Sequence, residues 1–263
     1  MTTRYQVGSM RPENLAFAVI TFVVVLLTHA IAYLSHEYVH TVTAWCLGWM
    51  PKPFDVDYGP ITVSNVIFLG DVSDNVNYVP IFATGHGDQA AVIALAGAFL
   101  GNGLLYFVIY LLSRSFWVRS KRYLLMFLYW LAVMCAGNVW SYVPMRSITT
   151  HADMAIAARG LGISTWTLLP FVLVPSLFVL WHFMTRMFAT TCDRITSGSM
   201  VNLAVLIAFT GFWYFSFFGG DGIDGSYGLV SQILSIVSRY FLFPLCVAYL
   251  ASRYLSSSKP DNS

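Results

Sequence analysis

The chain has 263 residues and a formal charge of +2, and it is 57% hydrophobic and 10% charged, against about 25% charged in an ordinary soluble domain. With a mean hydropathy of +0.68 this excludes a soluble domain, and the absence of a basic stretch interleaved with aromatics excludes nucleic acid as a partner. The lipid bilayer is the solvent, and the four scattered cysteines show neither a disulfide framework nor the spacing of a thiolate zinc site.

Residues 1–14 are polar. The apolar run behind them is too long for a signal peptide and has no small-residue cleavage site, so it reads as a retained first span. It begins near Leu15 and extends toward Trp49, which at 1.5 Å per residue is about 50 Å, beyond the ~30 Å hydrocarbon core. It must tilt or protrude, with Trp45 and Trp49 as interfacial anchors. Residues 50–87 are polar and turn-rich, and the alternating segments 54–58 and 61–69 predict two short strands. They form either a solvated hairpin or an exposed edge able to pair with an extended substrate. A second span, 88–112, carries Gly97 and Gly101 as a small-residue packing face, with Asn102 in need of a partner inside the bundle. The third, 123–143, follows the basic turn Arg114, Arg119, Lys121 and Arg122 and ends in a polar, proline-broken stretch from Asn138 through Ser141 and Pro144 to Arg146. Three further spans are predicted near 166–186, 200–218 and 229–254, followed by a polar tail, 256–263.

These elements define an all-α polytopic membrane protein of about six transmembrane helices with a small β-hairpin insertion between the first two. Residues 15–160 form one unit and 161–255 add three helices. With the amino terminus in the cytoplasm, ten Lys and Arg residues fall on that side, against Lys52, Arg146 and Arg159 on the other. Both termini are then cytoplasmic, and the carboxyl ends of the first and third helices are extracytoplasmic.

Inside the first span stands His36-Glu37-Tyr38-Val39-His40. Two histidines four residues apart on a helix lie about 40° apart around its axis, so both imidazoles reach one Zn²⁺ while the intervening Glu holds a water. The competing account is two histidines hydrogen-bonded within a bundle, but an ionisable Glu between them in a span is costly without a function. His29, seven residues earlier, shares the stripe. A catalytic zinc needs three protein ligands and an open position. The only other glutamate, Glu13, lies on the opposite membrane face, which leaves His86, Asp88, His151, Asp153, Asp221 and Asp224 on the correct side. Asp153 is the choice, because it follows a proline-broken helix end where a carboxylate can turn inward. Against it, Thr150-His151-Ala152-Asp153 has the form of a capping box that would leave Asp153 serving the local backbone. His151 is the next candidate ligand or a supporting donor.

The chain resembles the site-2 protease family of intramembrane zinc metalloproteases over about residues 15–160. The resemblance rests on His36, Glu37 and His40 on the first core helix, the Gly97 to Asn102 stretch on the second, and Pro144 with Asp153 at the third; Tyr58-Gly59-Pro60 matches a turn that follows the first. It implies a three-helix catalytic core. The family's Asn-x-x-Pro is Ser141-Tyr-Val-Pro144 here, and Asn102 follows Gly97 by five residues instead of four. The resemblance implies one Zn²⁺ per chain on His36, His40 and Asp153, with Glu37 as the catalytic base. Asn102, Asn138, Arg146 and His151 are candidates for contact with a membrane-protein substrate. The expected reaction is hydrolysis of a peptide bond in or near a transmembrane segment. The alternatives are a zinc-dependent hydrolase of a lipid or small amphiphile, and a non-catalytic metal-binding membrane protein. A histidine-rich di-iron site needs about eight histidines, and the chain has 6.

Overall fold

The computed structural model describes residues 12–254; the terminal stretches 1–11 and 255–263, with Arg4, Arg11 and Lys259 of the charge bias, lie outside them. Among the described residues six helices are long and apolar enough to cross a membrane: Pro12–Cys46, Gly87–Ser113, Arg122–Met145, Thr165–Thr196, Met200–Gly220 and Leu229–Tyr254. The protein is an all-α integral membrane protein with a minute two-stranded sheet.

The third helix is the hub. Of its apolar window 89% is enclosed by the rest of the protein, against 22% for the sixth, whose outer face is left to lipid. The first helix packs along the second and third, and the fifth helix and the carboxyl-terminal part of the fourth close around the third from the other side. Trp130, Tyr129, Phe183 and Tyr214 fill that junction and are fully buried.

The first helix ends three residues earlier than its apolar run suggests. Gly48 takes φ +83°, and the amides of Gly48 and Trp49 turn back to the carbonyls of Trp45 and Ala44 at 3.0 and 2.8 Å, a glycine stop that satisfies the last turn. The Trp49 indole N–H donates to Gln89 Oε1 at 2.6 Å, at the start of the second span.

The insertion departs from expectation in one strand. Val56–Asp57 pairs antiparallel with Ser73–Asp74, but residues 61–69 contain a short helix, Val63–Phe68, instead of a strand. Local polar groups outweigh the apolar alternation: the Thr62 hydroxyl caps the Asn65 amide. The Asn65 side chain then ties the carbonyls of Tyr58 and Pro60 to the amide of Asp71. A Cβ on Gly59 would meet Asp71 at 2.7 Å, so only glycine fits that turn.

Two irregularities shape the chemistry. In the second span Gly97–Leu104 is a π-helical segment, wider than an α-helix. In the third span, Val143 is extended (φ −139°, ψ 114°) ahead of Pro144, as the proline ring demands of its predecessor. The Val143 carbonyl freed by the break is taken by the Ser176 hydroxyl of the fourth span at 2.5 Å. The chain then turns into a separate helix, Ala152–Gly160, which lies against the start of the second span. Gly87 and Gly160 bring the two backbones together, each so close that a Cβ on either would meet the other's carbonyl oxygen at 2.6 or 2.2 Å.

Candidate metal centre

The His36 and His40 rings project from one face of the first helix, 1% exposed each, with centroids 4.6 Å apart. Each Nδ1 is committed to an acceptor. His40 Nδ1 donates to the Ile93 carbonyl at 2.7 Å, and His36 Nδ1 donates to Asn102 Oδ1 at 3.1 Å. The amide of Asn102 also donates to the Ala32 carbonyl at 2.9 Å, so this fully buried side chain is consumed inside the protein and does not face a substrate. The π segment makes this possible. Residues five apart on an α-helix lie about 140° from each other, whereas the extra residue per turn draws Gly97 and Asn102 toward one face. Gly97 supplies the space, because a Cβ there would stand 2.2 Å from His40 Nε2 and 2.7 Å from His36 Nε2. Gly101 lets the backbones meet, with a Cβ there 2.8 Å from the Ser35 carbonyl oxygen.

Asp153 completes the group. Its Oδ2 lies 3.3 Å from His36 Nε2 and 3.4 Å from His40 Nε2, and the two Nε2 atoms are 3.0 Å apart. The capping-box alternative does not hold: His151 occupies the N-cap position and no side chain caps this helix. Ala152 instead takes φ +63°, a left-handed turn that costs a Cβ-bearing residue about 1–2 kcal/mol, at the step that leads into Asp153. Among the described residues this is the one group of three or more His, Cys, Asp or Glu side chains whose ligand atoms converge within 4.8 Å.

The donor set fits a cation. With both Nδ1 atoms donating, both Nε2 lone pairs point at each other and at a carboxylate oxygen, an arrangement that repels unless a positive charge sits between them. A tetrahedral zinc with ligand bonds of about 2.0–2.1 Å holds its donors roughly 3.3 Å apart, and the three separations here are 3.0, 3.3 and 3.4 Å.

Glu37 is 6% exposed and accepts the Asp74 amide on Oε2 at 2.9 Å. The short strand Ser73–Asp74 therefore fixes the glutamate, a contact with no signal in the sequence. Burial raises the Asp74 carboxyl, consistent with its place in the same pocket.

The other candidates stand elsewhere. His29 faces the Phe68 carbonyl at 3.0 Å, and His86 bonds the Thr84 hydroxyl at 3.0 Å; neither joins the cluster, nor does Asp88. Asp221 pairs with Arg146 at 3.1 Å and accepts the Ser141 hydroxyl at 2.7 Å, while Asp224 accepts the amide and hydroxyl of Ser226 in its own turn. Arg146 lies 3.8 Å over the ring of Tyr142, whose other neighbour is His36, stacked at 4.3 Å. His151 stacks on Tyr227 at 5.0 Å, and Tyr227 in turn accepts Arg146 Nη1 at 3.0 Å. Asn138 lines a cavity beyond Tyr142. The aromatic link from His36 through Tyr142 to the last spans could not be found from sequence, since nothing in residue spacing pairs a tyrosine at 142 with an aspartate at 221.

The fold is that of a six-span helical membrane protein with a buried two-histidine, one-aspartate cluster. Compared with known protein families, curated proteins and solved structures, the chain finds no match.

Proposed function

We propose that the protein is an intramembrane zinc metalloprotease resembling the site-2 protease family, with the first three spans as its catalytic core. The observation that carries this reading is the convergence of His36, His40 and Asp153, from segments 113 or more residues apart, with Glu37 between the histidines and buried beside them. In the proposed site these three side chains hold one Zn²⁺. The bound ion would acidify a water and polarise the scissile carbonyl. Glu37 takes the water proton and delivers it to the leaving amine, its orientation held by the Asp74 amide. Asn102 and the Ile93 carbonyl keep the imidazoles in the tautomer that presents Nε2.

Burial of the site within a membrane helix restricts its substrates to molecules that enter the bilayer, and in this reading they are polypeptides. A helical substrate shields its carbonyls in hydrogen bonds, so it must unwind locally to be cut. The excess of Lys and Arg on the other face supports an extracytoplasmic catalytic end and cytoplasmic termini. The test has two arms. Purified protein should contain about one zinc per chain, and it should cleave tagged single-span membrane proteins while Glu37→Gln, still zinc-loaded, does not. Absence of zinc under metal-replete conditions, or cleavage by Glu37→Gln, overturns the proposal.

A further inference from the structure

On the far side of Tyr142 from His36 lies a cavity of about 440 Å³, walled by the first, third, fifth and sixth spans. Arg239 forms part of its wall, ten residues into the sixth span, which starts at Leu229. Successive spans cross in opposite directions, so the start of the sixth is on the same side as the end of the first, and His36 is likewise ten residues from Cys46. Both residues are therefore about 15 Å below that end of their helices, at 1.5 Å per residue. An arginine at such depth is costly and needs a partner. Its Nε donates to the Ser216 carbonyl at 3.0 Å, and a Cβ on Gly220 would stand 2.4 Å from Nη2, so the glycine makes room for the guanidinium. No carboxylate among the described residues pairs with it, since Asp221 belongs to Arg146 and Asp224 to the Ser226 turn.

Two further residues of the wall each hold an unsatisfied polar atom that is itself buried. His29 and Asn138, 2% and 4% exposed, line the cavity with Nδ1 and Oδ1 lacking any hydrogen bond. His29 Nε2 faces a carbonyl and so carries the ring proton, which leaves Nδ1 as an acceptor. The wall also carries the Arg146–Asp221 pair and the Asp224 carboxylate of the Ser226 turn, so the charge left without a carboxylate partner is that of Arg239. Its complement is a carboxylate, and the unsatisfied acceptors nearby suit a chain that brings N–H donors, which is a polypeptide. A lipid headgroup belongs at the interface, toward the start of the sixth span and not ten residues into it.

We infer that this cavity is a substrate subsite for an Asp or Glu side chain within the membrane-embedded part of the polypeptide, paired with Arg239. The word substrate rests on the protease reading; the binding does not. In the test, zinc-loaded Glu37→Gln protein in lipid nanodiscs is titrated with two fluorescent transmembrane peptides. They differ only in one mid-span Glu or Gln and have amidated carboxyl termini, so no terminal carboxylate competes. The Glu peptide should bind about tenfold tighter or better, as a hydrogen-bonded ion pair out of water does. Arg239→Gln should erase the preference and Arg239→Lys should keep part of it. Equal binding of the two peptides by the Arg239 protein overturns the inference without any variant, as does a preference that survives Arg239→Gln. Repeating the titration on metal-free protein separates the two readings: a protein without zinc or turnover that still prefers the Glu peptide has lost only the protease assignment.

Discussion

Two polar sites flank Tyr142, and they are built on opposite plans. On the His36 side both imidazoles are directed: each Nδ1 has an acceptor and Asn102 is used at both ends. On the Arg239 side, Nδ1 of His29 and Oδ1 of Asn138 are buried with no partner. A site that holds a small ion gains from rigid, fully satisfied support, whereas a site that receives a polymer must keep its hydrogen-bonding capacity for the incoming chain. The first is finished within the protein, and the second is open.

The sharpest way to break the contrast is to remove a ligand. His36→Ala and Asp153→Ala should each reduce zinc content from about one per chain to near zero, read by metal analysis of purified protein, while His182→Ala, whose ring bonds Tyr106 of the second span away from the cluster, should leave it unchanged. Next comes Glu37→Gln, which should keep the zinc and abolish measurable cleavage, since it removes general acid–base catalysis worth about 10²–10⁴-fold. Gly97→Ala tests whether the ion's space is a property of the π segment. A methyl group 2.2 Å from His40 Nε2 should displace the ring and abolish stoichiometric zinc binding while the protein still elutes as a folded species. Asn102→Ala should be milder, lowering zinc affinity about 10–100-fold in a chelator competition, because it removes the support of one imidazole and not a ligand. The smallest effect belongs to Ala152→Gly, which relieves a left-handed alanine and should raise the melting temperature or leave it unchanged, with zinc retained. A loss of zinc in that variant would show that the turn before Asp153 is held by something other than local backbone preference.

The contrast also orders what could be read in advance. Helix-forming apolar runs announce themselves, and five of the six spans fall within three residues of their predicted limits while the fourth runs ten residues further, to Thr196, because a backbone in hydrocarbon must satisfy its own hydrogen bonds and a helix does this locally. The His36, Glu37 and His40 trio was equally legible, since four-residue spacing on one helix is itself a geometry. Residues 61–69 were misread because alternation competes poorly with a threonine cap and an asparagine that binds three backbone groups. Asp153 could be nominated by a proline and a membrane side. It was the Gly87 to Gly160 contact that brought its helix against the second span.

What the sequence determined by itself is therefore the membrane class, the number of spans and the two-histidine half of the cluster, all consequences of local periodicity and composition. The tertiary structure decided the rest: the π segment that swings Asn102 onto His36, the strand whose Asp74 amide fixes Glu37, and the cavity that assembles His29, Asn138 and Arg239 from three spans. Those groupings join residues from 37 to 210 positions apart, as with Glu37 to Asp74 and His29 to Arg239. No local preference encodes such pairs, because they exist only once the helices have packed.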